Sequence, residues 1–231
     1  MTATTTLKPP PSDGYAHIVP LPTPPKAPDA MQQSPYVTRA YSILETYFHR
    51  RPDVLVGSDG YLCYDTTDRS RWVKPDCLVA FGVDPDAIFA RNSYVISEVG
   101  KPPEFVLEVA SESTGRQDYT RKRDIYAEYG VAEYWRFDRT GGQYHDRPLS
   151  GDHLVNGQYE PLPLDTGADG VIRGYSPVLG LELHWDTCQL RFYDPVAGDY
   201  LPDLADALAQ RDAAEALVER LRAQLHRLQS D

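Results

Sequence analysis

Two carboxylates sit inside runs that are otherwise apolar. Asp76 lies in Pro75-Asp76-Cys77-Leu78-Val79-Ala80-Phe81, and Glu108 lies in Phe105-Val106-Leu107-Glu108-Val109-Ala110. Both runs are short and bounded by Pro, Gly or Ser, the pattern of buried strands. An ionised carboxylate in such a strand is costly unless it is paired or holds a metal ion. A third stretch, Asp118-Tyr119-Thr120-Arg121-Lys122-Arg123-Asp124-Ile125-Tyr126, reads as the start of a helix with a lysine one turn in. Two strand carboxylates with a lysine nearby are the parts of a metal-dependent phosphodiesterase site. The acids hold a hard cation through oxygen, and the lysine serves as a point charge for water or phosphate. Asp118 stands four residues before Lys122, the spacing at which helical side chains meet, so it pairs with the lysine or helps position it.

In their order along the chain, these residues resemble a known family. Pro75-Asp76, Glu108-Val109-Ala110-Ser111, Asp118, Lys122-x-x-x-Tyr126 and Gly130-Val131-Ala132-Glu133-Tyr134-Trp135 resemble the Uma-type restriction endonuclease family of the PD-(D/E)XK nuclease superfamily, over roughly residues 40 to 190. The resemblance implies an α/β fold: a restriction-endonuclease-like core with a mixed β-sheet flanked by helices. It implies hydrolysis of DNA phosphodiester bonds with Mg²⁺ or Mn²⁺, held by Asp76, Glu108 and the backbone carbonyl of Val109. It makes Glu45, on an N-terminal helix, a candidate third acidic ligand, against the plainer reading of an exposed helix glutamate. The superfamily signature puts lysine two residues after the second acid, where this chain has Ala110. The Uma-type pattern carries the lysine on the following helix instead, which Lys122 matches. Arg121 and Arg123 flank it, but successive helical residues point about 100° apart, so they are candidate nucleic-acid contacts or face solvent.

The elements that must position these groups follow from patterning. Residues 1–34 are rich in Pro, Thr, Ala and Ser and form a disordered proline-rich tail, because such a segment buries too little surface to offset its ordering entropy. Residues 35–200 form the nuclease-like domain. It opens with a helix from about Ser34-Pro35 to His49 whose face carries Val37, Tyr41, Leu44 and Phe48. Val54-Leu55-Val56 and Tyr61-Leu62-Cys63-Tyr64, around Gly57-Ser58-Asp59-Gly60, give a hairpin-like signal. A helix over about Tyr119 to Glu128 stops at Gly130, a strand follows over 131–137, and residues 140–176 read as hairpins with turns at Gly141-Gly142 and Asn156-Gly157. His145, His153 and His184 lack metal-ligand spacing and take ordinary strand or surface roles. Residues 201–231 are a long C-terminal helix with a short coiled-coil seam at Val218, Leu221, Leu225 and Leu228. That seam packs on the chain's own core or forms a homodimer contact.

Composition bounds the rest. At 231 residues with 41% hydrophobic and 25% charged residues, the chain fits one soluble core domain plus tails. No run approaches the ~20 apolar residues of a membrane span, and no secretory leader is expected. Three widely spaced cysteines, Cys63, Cys77 and Cys188, point to reduced thiols in a cytoplasmic protein. The net charge of -11 argues against a protein that coats nucleic acid non-specifically, although a local basic patch with metal ions still serves one cleft. Two further readings stand beside the DNA endonuclease. One is a catalytically degenerate nuclease-fold protein that acts as a binding or scaffold module. The other is a metal-dependent hydrolase of another phosphate ester.

Overall fold

The computed structural model describes residues 13–15, 17–25 and 30–230. After helix α1 (Ala30–Phe48), strands β1 (Val54–Gly57), β2 (Tyr61–Cys63), β3 (Cys77–Phe81), β4 (Ser93–Val95), β5 (Phe105–Val109), β6 (Glu133–Phe137), β7 (Leu149–Val155) and β8 (Gln158–Pro161) follow in the chain. Six of them form a mixed sheet in the order β1-β3-β5-β6-β7-β8, while β2 pairs with β4 alone. Strands β9 (Leu164–Thr166), β10 (Ile172–Ser176), β11 (Leu181–Asp186), β12 (Gln189–Asp194) and β13 (Asp199–Tyr200) form a second, antiparallel sheet. The expected mixed sheet flanked by helices, with a long C-terminal helix, is therefore present.

Alternation along β5 decides which residues meet. Phe105, Leu107 and Val109 face a core shared with α1 and the second sheet, while Val106 faces a second core on the opposite side. Period-2 geometry sends Glu108 to that second side. β5 and β6 are parallel, so the chain must cross over between them. The crossover is a helical run made of α4 (Gly115–Gln117), a π-helical turn over Asp118–Lys122 and α5 (Arg123–Tyr129). Ile125, Tyr126 and Tyr129 of this run pack into the core on Glu108's side. Gly130 ends it in the left-handed conformation, the ordinary helix stop.

The Glu133-Tyr134-Trp135 stretch joins the two sheets. Glu133 is buried; its carboxylate accepts from Trp135 Nε1 at 3.0 Å, Ser176 Oγ at 2.5 Å and Val178 N at 2.8 Å. The Trp135 ring lies against Gly151 and Gly174, where a Cβ would come within 2.9 and 2.8 Å of it. Only glycine leaves room at either position.

Several sequence expectations change here. Helix α1 begins at Ala30, five residues before the expected start, with Pro35 inside it. A Ser-Pro pair marks a helix start in most sequences, but here the chain is already helical and Pro35 removes one interior donor. Within the expected disordered tail, residues 1–12, 16 and 26–29 lie outside the described residues. Leu21 N donates to Arg91 O and Asn92 Nδ2 to Leu21 O, so the described part lies along α2 (Pro85–Arg91). The hairpin expected over 54–64 does not form: β1 pairs with β3, and β2 pairs in parallel with β4. Directly after β4 the chain forms the short helix α3 (Ile96–Val99).

Helix α6 (Leu204–Ser230) leaves the core. Val218 and Leu221 of the expected seam are 45% and 48% exposed, so at these positions it does not pack on the chain's own core. The side chains of Leu225 and Leu228 lie outside the described ones. No helix among the described residues is long and apolar enough to cross a membrane.

Replacing Glu133 by alanine removes the acceptor of two buried donors, Trp135 Nε1 and Ser176 Oγ, and of the partly buried Val178 N–H. We expect Glu133→Ala to lower stability by about 3 kcal/mol, measured as a shift in denaturation midpoint at unchanged slope.

Candidate active site

The register of β3 and β5 sets the site. Leu78 pairs with Val106 and Cys77 with Leu107, and one more step along the ladder places Asp76 opposite Glu108. Cross-strand neighbours point to the same face, so the two acids share one side of the sheet. Both are buried. Asp76 Oδ2 accepts from Val109 N at 2.8 Å, which fixes its carboxylate against the end of β5.

The crossover helix supplies the counter-charge. Lys122 Nζ lies 2.8 Å from Glu108 Oε2 and 2.9 Å from Asp118 Oδ1, with the lysine side chain 12% exposed. The π-helical turn has Asp118 and Lys122 at its two ends, so both side chains enter the same pit. Such turns occur in short pieces and often at functional sites. Tyr126, one turn further, donates its hydroxyl to Glu108 Oε1 at 2.5 Å. Glu108 is therefore held at both oxygens.

Charge in this pit is unbalanced. Three acids, Asp76, Glu108 and Asp118, face one ammonium. Burial pushes the Asp76 carboxyl up to about 6, with Lys122 pulling the other way. Burial also raises Glu108 well above the ordinary carboxylate range; Lys122 opposes the rise, and Asp118 and Asp76 add to it. Burial alone would lower Lys122, but Glu108, Asp118 and Asp76 outweigh it and hold the ammonium protonated.

Two residues in the site escaped the sequence reading. Gln33, on the first turns of α1, donates its Nε2 to Asp76 Oδ2 at 2.7 Å and to the Val109 carbonyl at 2.5 Å. One amide nitrogen thus sits where two oxygens converge. His145 is buried in the loop between β6 and β7, and its Nε2 lies 2.9 Å from Asp118 Oδ2. A glutamine ahead of a Ser-Pro pair carries no periodic signal. A lone histidine in a polar loop carries none either.

The remaining candidates divide. The Val109 carbonyl and Asp76 Oδ2 both accept from the Gln33 amide, so the two expected ligands are neighbours. Glu45 does not join: it is exposed, and helical rise puts it about 18 Å along α1 from Gln33. Periodicity locates a helix face but not which turn of the helix meets the sheet. Arg121 is exposed and donates Nη2 to Ser70 O at 2.6 Å, next to Arg69 and Arg71 on a short 3-10 turn. Arg123 is committed elsewhere: it pairs with Asp152 at 3.1 Å and donates to Tyr159 O at 3.0 Å, so it is a structural cation and not a free phosphate contact.

A groove of about 810 Å³ opens beside Asp76, lined by Gln33, Val37, Tyr41, Ser58 and Lys74 among others. Among the described residues no cluster of three or more His, Cys, Asp or Glu side chains is arranged to hold a metal ion. The oxygen donors that do converge are two carboxylates, one main-chain carbonyl and, on rotation of the Gln33 amide, its oxygen. This all-oxygen set fits a hard divalent ion that keeps several waters.

The folded Asp76 carboxyl at about 6 lies above its unfolded value of about 3.9. Between those values the unfolded chain binds fewer protons than the folded one, so the Asp76 contribution to stability falls as pH rises through this window. Without divalent ions, Asp76→Asn should gain stability relative to the unaltered chain by on the order of 2 kcal/mol between pH 4 and pH 7. Urea midpoints measured in EDTA across that range check this.

The chain has recognisable relatives. The family model Uma2, described as "Putative restriction endonuclease", matches residues 26–205. Among solved structures, the chain is similar to "a putative nuclease belonging to DUF820" from Anabaena variabilis. Identity is 12%, coverage is 69% of this chain and 78% of that one, and the TM-score is 0.44. No curated protein matches the chain.

Proposed function

The chain belongs to the Uma2 restriction endonuclease family, and from that membership we propose that it is a metal-dependent endonuclease hydrolysing DNA phosphodiester bonds. The observation that carries the reading is the meeting of Asp76, Glu108 and Lys122 in one buried pit beside an open groove. Asp76, Glu108 and the Val109 carbonyl would hold Mg²⁺ or Mn²⁺, with Gln33 turning its amide oxygen to the same set. When bound, the ion supplies Lewis-acid charge and lowers the pKa of a coordinated water.

The chain's own groups do the positioning. Lys122 keeps its proton and offers a compact positive charge to a non-bridging phosphate oxygen, where charge grows during displacement. Tyr126 holds Glu108 from the opposite side, so the carboxylate cannot swing toward the lysine alone. Arg121 and its neighbour Arg69 would form a basic rim, where they would meet backbone phosphates, while Arg71 pairs with Glu128. This local rim reconciles a DNA substrate with a net charge of -11.

A second reading, a binding protein that keeps the fold without the chemistry, draws on the acidic charge and on the Gln33 amide seated on Asp76. Supercoiled DNA with Mg²⁺, Mn²⁺ or EDTA separates the two. We expect nicking that requires the metal, is abolished in Asp76→Ala/Glu108→Ala, and falls about 100-fold or more in Lys122→Ala. No cleavage in either metal, together with no metal-induced rise in melting temperature, selects the binding protein.

We also place a homodimer contact on α6. Its exposed Val218 and Leu221, three residues apart, lie at coiled-coil spacing. Val218→Glu/Leu221→Glu should convert a dimer to a monomer in sedimentation velocity; an unaltered monomer at high concentration removes the assignment.

A further inference from the structure

The buried histidine of the β6–β7 loop has no part in the ligand set, yet the fold goes to some length to place it. Asp138 builds the loop: Oδ1 accepts from Thr140 N at 2.7 Å and Thr140 Oγ1 at 2.6 Å, and Oδ2 accepts from Tyr144 N and His145 N, both at 2.8 Å. The loop then packs on the start of the crossover helix. At Gly115 a Cβ would lie 2.6 Å from the Tyr144 carbonyl, so only glycine allows this approach. The Tyr119 ring meets the His145 ring edge-on, with centroids 6.4 Å apart. The outcome is one contact into the pit, from His145 Nε2 to Asp118 Oδ2 at 2.9 Å, while Nδ1 has no hydrogen-bond partner among the described residues.

We propose that His145 is a positioning residue for Lys122: its Nε2–H holds one oxygen of Asp118, which aims the other at the lysine ammonium. Asp118 divides its contacts, with Oδ2 hydrogen-bonded to His145 and Oδ1 in an ion pair with Lys122 at 2.9 Å. Its backbone is held as well, because Tyr134 donates its hydroxyl to Asp118 O at 2.6 Å. Without the imidazole N–H, Asp118 keeps its main-chain anchor but loses what fixes its side-chain rotation. Lys122 Nζ would then be shared unequally and drift toward Glu108. The unpartnered Nδ1 gives the tautomer: a proton there would be a buried donor with nothing to bond, so the neutral ring carries its hydrogen on Nε2.

This inference rests on the reading of Lys122 as the working cation of the site, and its test separates the two. Glutamine reproduces the reach of Nε2 and asparagine only that of Nδ1, so His145→Gln and His145→Asn differ in one contact. In metal-dependent DNA nicking, His145→Asn should lower kcat about 10-fold to 100-fold at nearly constant KM, and His145→Gln should restore most of it. Independently of any activity, ¹⁵N spectra of lysine ammonium groups should show the Lys122 signal exchanging slowly with water in the unaltered chain and in His145→Gln. Exchange should be about tenfold faster in His145→Asn. If neither variant folds, the ¹⁵N-histidine spectrum of the unaltered protein decides, where a slowly exchanging Nε2–H and a bare Nδ1 are expected. Equal behaviour of the two variants, or a His145 proton on Nδ1, overturns the proposal. Absence of nicking in every variant with the spectral differences intact overturns the nuclease reading and leaves the positioning role standing.

Discussion

One ammonium surrounded by three buried carboxylates is the constraint on which the rest of this structure turns. Removing an ion from water costs several kcal/mol even after relaxation. A contact at 2.8 Å returns on the order of 6 kcal/mol at an effective dielectric near 20. Lys122 can settle with Glu108 and Asp118 on those terms, but it cannot also neutralise Asp76. The surplus negative charge shows itself as proton affinity in Asp76 and Glu108. On the proposed reading such a pit would exchange its protons for a cation, and Asp76 Oδ2 and Val109 O, which converge on a single amide nitrogen, would be two of its ligands.

Other buried acids in the chain make the contrast plain. Asp138 accepts from two backbone N–H groups on one oxygen and from Thr140 on the other. Asp152 lies between Arg123 and Arg136, each at 3.1 Å. Glu133 receives three donors. Each of these carboxylates is fully compensated and ties loops or sheets together. Burial alone thus does not set an acid apart; under-compensation does. By that measure Asp76 and Glu108, whose carboxyls burial raises, stand apart from Asp138, Asp152 and Glu133.

The distinction accounts for what could be read from the sequence. Asp76 and Glu108 were legible because an apolar strand rarely tolerates an acid without a partner or a cation to hold, and Lys122 because the residues around it resemble a family pattern. What escaped depends on three-dimensional register. Glu45 sits on the right helix but several turns from the sheet, and Gln33 does the contacting from a stretch whose proline content masked a helix start. Arg123 looked like a free cation because Asp152 is 29 residues away in sequence. His145 reaches Asp118 only once the loop folds around Asp138. The Glu133-Tyr134-Trp135 motif, read as part of a nuclease signature, turned out to be structural on two of its three side chains.

The clamp on Trp135 carries a consequence for how the protein comes into being. Its ring is bounded on one side by Gly151 and on another by Gly174, a residue that emerges from the ribosome well after every member of the pit. Until the second sheet is synthesised and docks, the indole and the Glu133 carboxylate beneath it stay open, and β6, which flanks β5, lacks its final support. On a growing chain the lock on β6 is thus complete only once residue 174 has been made, later than every residue of the pit. A chain interrupted between 145 and 174 would contain all the site residues and still hold them loosely.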